Sequence, residues 1–172
     1  LCAGASVVND ISGMTYDPAM IDVICEYGAS VVLMHVLGTP KTMQVNPTYG
    51  DVVHDVYSFL EKQASLAHGR GVRQIIVDPG LGFGKGLEDN FELMRRLEEF
   101  HRLGYPLLVG PSRKSFIGKL LDLPVDQRLE GTAAAVTACI LRGAHIVRVH
   151  DVREMKRVAV VADALKETGH RQ

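Results

Sequence analysis

Gly28-Ala29-Ser30-Val31-Val32 reads as a helix end running into a strand, and the same form stands twice more, as Gly4-Ala5-Ser6-Val7-Val8 and Gly143-Ala144-His145-Ile146-Val147. Glycine accepts the positive φ of the position that closes a helix, and the β-branched residues behind it favour a pleated strand buried on both faces. Gly71 precedes Gln74 to Asp78, and Gly104 precedes Pro106 to Gly110, in the same manner. The count is five strands. Helical spacings lie between them, with Phe91, Met94 and Leu97 on one face and Met155, Val158, Ala162 and Leu165 on another. Asp151 and Glu154 have the spacing of a capping box, which puts His150 where the last strand turns into its helix. Glu130 to Leu141, rich in alanine and poor in charge, predicts a helix buried on several sides, against the sheet or a second subunit. Strand and helix in alternation make βα units with parallel strands and right-handed crossovers.

Two α/β architectures accommodate five such units. A doubly wound sheet would be complete at this length. A (β/α)8 barrel takes about 250 residues, so about three units would lie outside the sequence. Leu1-Cys2-Ala3-Gly4 has the look of a helix end with no helix before it, from which missing sequence is inferred, and both architectures stay open at this point.

The 172 residues are 47% hydrophobic and 23% charged, with a formal net charge of −1, as in an ordinary soluble domain. No Lys/Arg-rich block marks a nucleic-acid or membrane-surface partner. No apolar run reaches the roughly 20 residues of a membrane span, and no export leader is legible. Cys2, Cys25 and Cys139 lack metal-site spacing and predict reduced core thiols and a cytoplasmic setting.

Each apolar run ends in polar or charged residues: Asn9 and Asp10, His35, Asp78, then Ser112, Arg113 and Lys114, then Arg148 and His150. Side chains just past the carboxyl ends of parallel strands converge on one face, where such folds hold ligands. Val36 to Gly50, with Gly38-Thr39-Pro40 and Asn46-Pro47, predicts a long loop on that face, as a lid or ligand contact.

Asp78-Pro79-Gly80-Leu81-Gly82-Phe83-Gly84-Lys85 invites a phosphate-loop reading and fails it, because Gly80 is one position too close to the Gly-Lys pair and Gly86 follows Lys85. The glycines also miss the dinucleotide fingerprint. What remains is an aspartate beside a rigid turn, able to accept two parallel N–H bonds from an amidine-like edge or simply to cap its own loop. Ser112 to Gly118 puts two cations and two hydroxyls at a helix start, suited to an anion, with Lys114 able to reach an oxo group. Alternation sets Arg148 and His150 on one side of their strand, a pair suited to phosphate oxygens. Asp10 and Asp151 read as helix caps, His35 as either structural or part of the rim. His54, His68, His101 and His170 need no role.

Taken together, Val8 to Gly13, Leu33-Met34-His35 with Gly38 to Gln44, Asp78 to Lys85, Ser112 to Gly118 and Arg148 to Asp151 resemble the dihydropteroate synthase family in order and rough spacing. The resemblance implies a parallel (β/α)8 TIM barrel, here truncated to about five βα units. Residues 1–172 would be the C-terminal part of a single pterin-binding barrel domain whose first three units are absent. It implies condensation of 6-hydroxymethyl-7,8-dihydropterin diphosphate with 4-aminobenzoate, giving dihydropteroate and diphosphate in folate synthesis.

By that resemblance Asn9 and Asp78 hydrogen-bond the pterin, Met34 and Phe83 line its pocket, and Lys114 reaches its oxo and nitrogen edge. Arg148 and His150 match the diphosphate pair, and Ser112 and Arg113 the aminobenzoate positions. Lys114, Arg148 and His150 would carry the catalysis by stabilising developing negative charge. Mg2+ is implied, with its ligand outside this chain and no metal-binding residue within it, as is a homodimer when complete. A polypeptide of these residues alone is expected to show no turnover; an ordinary steady-state rate in a coupled diphosphate-release assay would contradict that. A pterin-binding methyltransferase domain using methyltetrahydrofolate needs neither Ser112-Arg113-Lys114 nor the Arg148/His150 pair. A phospho-receiver signalling domain would end its first strand in paired acids where Asn9-Asp10 stands. A catalytically dead relative stays open.

Overall fold

The computed structural model describes residues 1–38, 43 and 47–166. Thr39 to Thr42 and Gln44 to Asn46 of the expected strand-end loop, and His170, lie outside them. The order is β1 (Val7–Asp10), α1 (Met20–Glu26), β2 (Ser30–Met34), α2 (Val52–Gly69), β3 (Ile75–Asp78) and α3 (Leu87–Arg95). A 3-10 helix (Leu97–Leu103), β4 (Leu108–Val109), α4 (Ser115–Leu121), a 3-10 turn (Val125–Gln127), α5 (Leu129–Leu141), β5 (Ile146–Val147) and α6 (Val152–Lys166) follow.

All pairing is parallel. β1 lies on β2 with Asp10 opposite Leu33, and β2 lies on β3 with Met34 opposite Asp78. A bridge from Val77 to Leu107 carries the sheet to β4, which pairs with β5. The five expected strands are therefore adjacent in chain order. Gly28, Gly71, Gly104 and Gly143 all take the positive φ that the repeated motif requires where each helix gives way to the next strand.

Val31, Leu33, Val77, Leu107 and Val109 are fully buried, each contributing about 1.5–3 kcal/mol relative to exposure. Val56, Leu60, Ala64 and Ala67 form the buried face of α2, which lies against β2 and β3. Val136 and Ile140 of α5 pack with Met155 and Ala162 of α6.

Several expectations need correction. The outer strands are not buried on both faces: Val7 is 47% exposed and Ile146 37%, because β1 and β5 each pair along one side only among the described strands. Leu165, expected on the buried face of α6, is 60% exposed near the end of that helix. Cys139 is buried, whereas Cys2 is exposed with Sγ 3.0 Å from the Tyr27 hydroxyl. No helix among the described residues is long and apolar enough to cross a membrane.

Candidate active site

Asp78, the last residue of β3, is fully buried. Its Oδ1 accepts the Gly80 N–H at 2.8 Å and its Oδ2 accepts Arg148 Nη2 at 2.9 Å. The loop-capping reading is thus met by one oxygen, while the other accepts a single N–H of a guanidinium from within the chain. Burial pushes its pKa above the usual carboxylate value, against the opposing pull of Arg148 and the Gly80 N–H.

Arg148, just past β5, also donates from Nη1 to Asn9 Oδ1 at 3.0 Å. Side chains from β1, β3 and β5 thereby meet, as the rim predicts. Met34 stands in register with Asp78 and is fully buried. Lys114 stands at the N-cap position of α4 without a side-chain capping bond, its Nζ 4.0 Å from the Phe83 ring centroid and its stem against Gly82, where a Cβ would approach Lys114 Cδ to 2.9 Å. Burial and then Arg148 lower the Lys114 pKa, while Asp78 raises it. Asn9, Phe83, Asp78, Lys114 and Arg148 form one constellation.

The remaining rim residues pair among themselves. Arg148 and His150 do not share a partner, because Ser112 Oγ, in a buried residue, accepts the His150 backbone N–H at 3.1 Å and lies 3.0 Å from His150 Nδ1. Asp151 gives its carboxylate to Arg113, whose Nε donates to Oδ2 at 2.9 Å; that ion pair corrects the expectation that this side chain caps a helix. Asp10 accepts from Ser12 N, Ser12 Oγ and Met14 N at 2.7–2.8 Å, so it caps a turn within the loop rather than a helix. His35 is buried, with Nδ1 3.0 Å from Lys85 Nζ, which settles its place as structural.

Two residues escaped the sequence reading. Arg128 donates to the carbonyls of Leu123 and Arg113, both at 3.0 Å, and so staples the Ser112–Lys114 turn. Lys85 is only 4% exposed, beneath the glycine-rich loop. Its position beside Gly84 in an otherwise uncharged loop is the sequence signal that marks it.

The loop tolerates no added bulk at Gly80, which has φ +72° and where a Cβ would lie 2.0 Å from the His35 carbonyl oxygen. Gly80→Ala is expected to lower stability by about 3 kcal/mol or more, from left-handed strain plus backbone displacement. A urea midpoint within error of the unsubstituted protein would contradict this.

Residues 1–150 match the family of pterin binding enzymes. The chain belongs to that family. A dihydropteroate synthase of Synechocystis sp. is 51% identical over 168 residues, 96% of this chain and 58% of the relative. The Yersinia pestis dihydropteroate synthase, solved with a sulfonamide drug complex, superposes with a TM-score of 0.93 at 37% identity, covering 98% of this chain and 62% of that one. The Thermus thermophilus enzyme, solved with 4-aminobenzoate, gives a TM-score of 0.89 at 43% identity, covering 94% and 66%. This chain spans less than two thirds of the length of these relatives. Its five βα units have the fold of the parallel (β/α)8 barrel class, and the complete doubly wound sheet is set aside.

Proposed function

We propose that these residues supply the strand-end face of a dihydropteroate synthase, joining 6-hydroxymethyl-7,8-dihydropterin diphosphate to 4-aminobenzoate. The observation that carries the reading is the hold of Arg148 on both Asp78 and Asn9, at 2.9 and 3.0 Å, because a guanidinium offers the planar N–H edge that a pterin also presents. In this reading the 2-amino and N3–H groups of the ring take the buried Asp78 carboxylate. Asn9 pairs with the ring beside it, Met34 and Phe83 bound its pocket, and Lys114 donates to the oxo edge. Arg148, displaced from Asp78, turns with His150 to the diphosphate, where positive charge stabilises the departing anion.

The bond between the methylene carbon and the diphosphate oxygen breaks, its electron pair leaving with diphosphate. The 4-aminobenzoate nitrogen then forms a bond to that carbon and releases a proton. In this reading Ser112 holds the aminobenzoate carboxylate and Arg113 flanks the ring. Among the described residues no three His, Cys, Asp or Glu side chains are grouped to hold a metal ion, and the oxygens of Asp10 and Asp78 already accept hydrogen bonds. The likeness to the dihydropteroate synthases extends the proposal to a Mg2+ requirement met outside this chain, a homodimer at full length and a cytoplasmic location.

The test is made on a polypeptide of the relatives' length that carries this sequence. Diphosphate release that depends on both the pterin diphosphate and 4-aminobenzoate supports the proposal. Release with no dependence on 4-aminobenzoate, or methyl transfer from methyltetrahydrofolate in its place, overturns it.

A further inference from the structure

Lys85 is buried with no carboxylate bonded to its amine among the described residues. Its Nζ lies 2.9 Å from the Phe83 carbonyl oxygen, 3.0 Å from His35 Nδ1 and 3.4 Å from the His35 carbonyl oxygen. A buried ammonium without a carboxylate partner is costly, so its retention asks for a role. Burial lowers the Lys85 pKa to about 7, with Asp78 and Asp89 pulling the other way, and lowers that of His35 to about 3. His35 is therefore neutral and its Nδ1 accepts from the ammonium.

The groups that Lys85 joins belong to two different loops. His35 ends the run through β2, and Phe83 lies in the loop after β3. That loop is pressed against the first at Gly80 and again at Gly84, where a Cβ would lie 2.7 Å from the Leu37 carbonyl oxygen. Tyr49 donates to the Gly84 carbonyl at 2.6 Å, and Asn90 Oδ1 accepts from Gly82 N at 2.6 Å. Lys85 reaches the Phe83 carbonyl from within this clamp, and the Phe83 ring faces Lys114 at 4.0 Å.

We propose that Lys85 is a positioning residue: by tying the Phe83 carbonyl to His35 it fixes the Phe83 ring beneath Lys114, and so sets the affinity for a flat heterocycle that Lys85 itself does not touch. The inference rests on the pterin reading of the site. Methionine has the shape to replace Lys85 without its charge, so a folded variant is expected.

In the full-length polypeptide, Lys85→Met should raise the KM for dihydropterin diphosphate at least tenfold and leave the KM for 4-aminobenzoate within twofold. In a Phe83→Ala background the same substitution should change the pterin KM less than twofold, because the ring that Lys85 positions is already gone. Lys85→Gln, which keeps a donor for one carbonyl, should give an intermediate loss and serves if the methionine variant does not fold. Equal effects in both backgrounds, or both substrates' KM rising together, would reduce Lys85 to general support of the fold. Unaltered pterin KM in the folded variant would remove its role alone, whereas failure of the unsubstituted protein to bind the pterin diphosphate would remove the underlying reading as well.

Discussion

Asp78→Asn is expected to lower affinity for dihydropterin diphosphate by about 100- to 1,000-fold while leaving the folded protein at least as stable as before. The carboxylate offers two acceptor oxygens in a fully buried place, and an amide turns one of them into a donor facing the ligand's own donors. Two charge-assisted bonds of about 1.5–3 kcal/mol each are thereby weakened or lost, and 1.4 kcal/mol corresponds to a factor of ten. Stability moves the other way.

Because burial raises the Asp78 pKa in the folded protein, the folded state holds that proton more tightly than the unfolded one. Stability from this residue is present below the ordinary carboxylate pKa and is lost as pH rises through the elevated folded-state value. An uncharged asparagine suffers no such loss, and its Oδ1 can still accept the Gly80 N–H. The thermal midpoint of Asp78→Asn should therefore match or exceed that of the parent at pH 7, with the difference shrinking toward pH 4. Calorimetry giving an unchanged dissociation constant would refute the ligand role, and a lower midpoint at neutral pH would refute the electrostatic argument.

Lys114→Ala is the second large expected loss, about 2–3 kcal/mol or some 30- to 150-fold in pterin affinity, from one charge-assisted hydrogen bond together with a cation–π contact. Two local arrangements prepare the side chain: the absent Cβ of Gly82 makes room for its methylenes, and the Phe83 ring underlies its ammonium. It is half-buried and not ion-paired among the described residues, so its removal should cost little stability. Isothermal titration with equal affinity for both proteins would contradict the placement of Lys114 at the ring.

Both stand out in the sequence as charges next to an apolar run: Asp78 ends β3 itself, and Lys114 stands at the helix start that follows β4. The glycine-led repeats gave the strand starts for the same reason: a helix end that needs positive φ and a β-branched run behind it are local events. Partners were less legible. Alternation along the last strand puts Arg148 and His150 on one side, but it does not say that Arg148 will reach Asn9 and Asp78 while His150 turns to Ser112.

The Asp151–Glu154 spacing likewise suggested a local cap, and a guanidinium 38 residues away took the carboxylate. Lys85 is the clearest case. Its burial comes from the loop after β2 closing on the loop after β3, a non-local packing that spacing rules for phosphate loops do not test. β1 and β5 read as buried strands because their residues are β-branched, yet exposure depends on what lies alongside, and each has one paired side.

The most direct measurement is a crystal structure of the full-length polypeptide with 6-hydroxymethyl-7,8-dihydropterin diphosphate bound. The ring's amino edge should lie on Asp78, with Asn9 and Lys114 on its other polar edges and the diphosphate on Arg148 and His150. An apolar cavity of about 330 Å³ lies elsewhere, between α3, α4 and α5, lined in part by Phe91, Met94, Phe116 and Ala135. A pterin lodged there, with Arg148 still held by Asp78 and Asn9, would contradict the account.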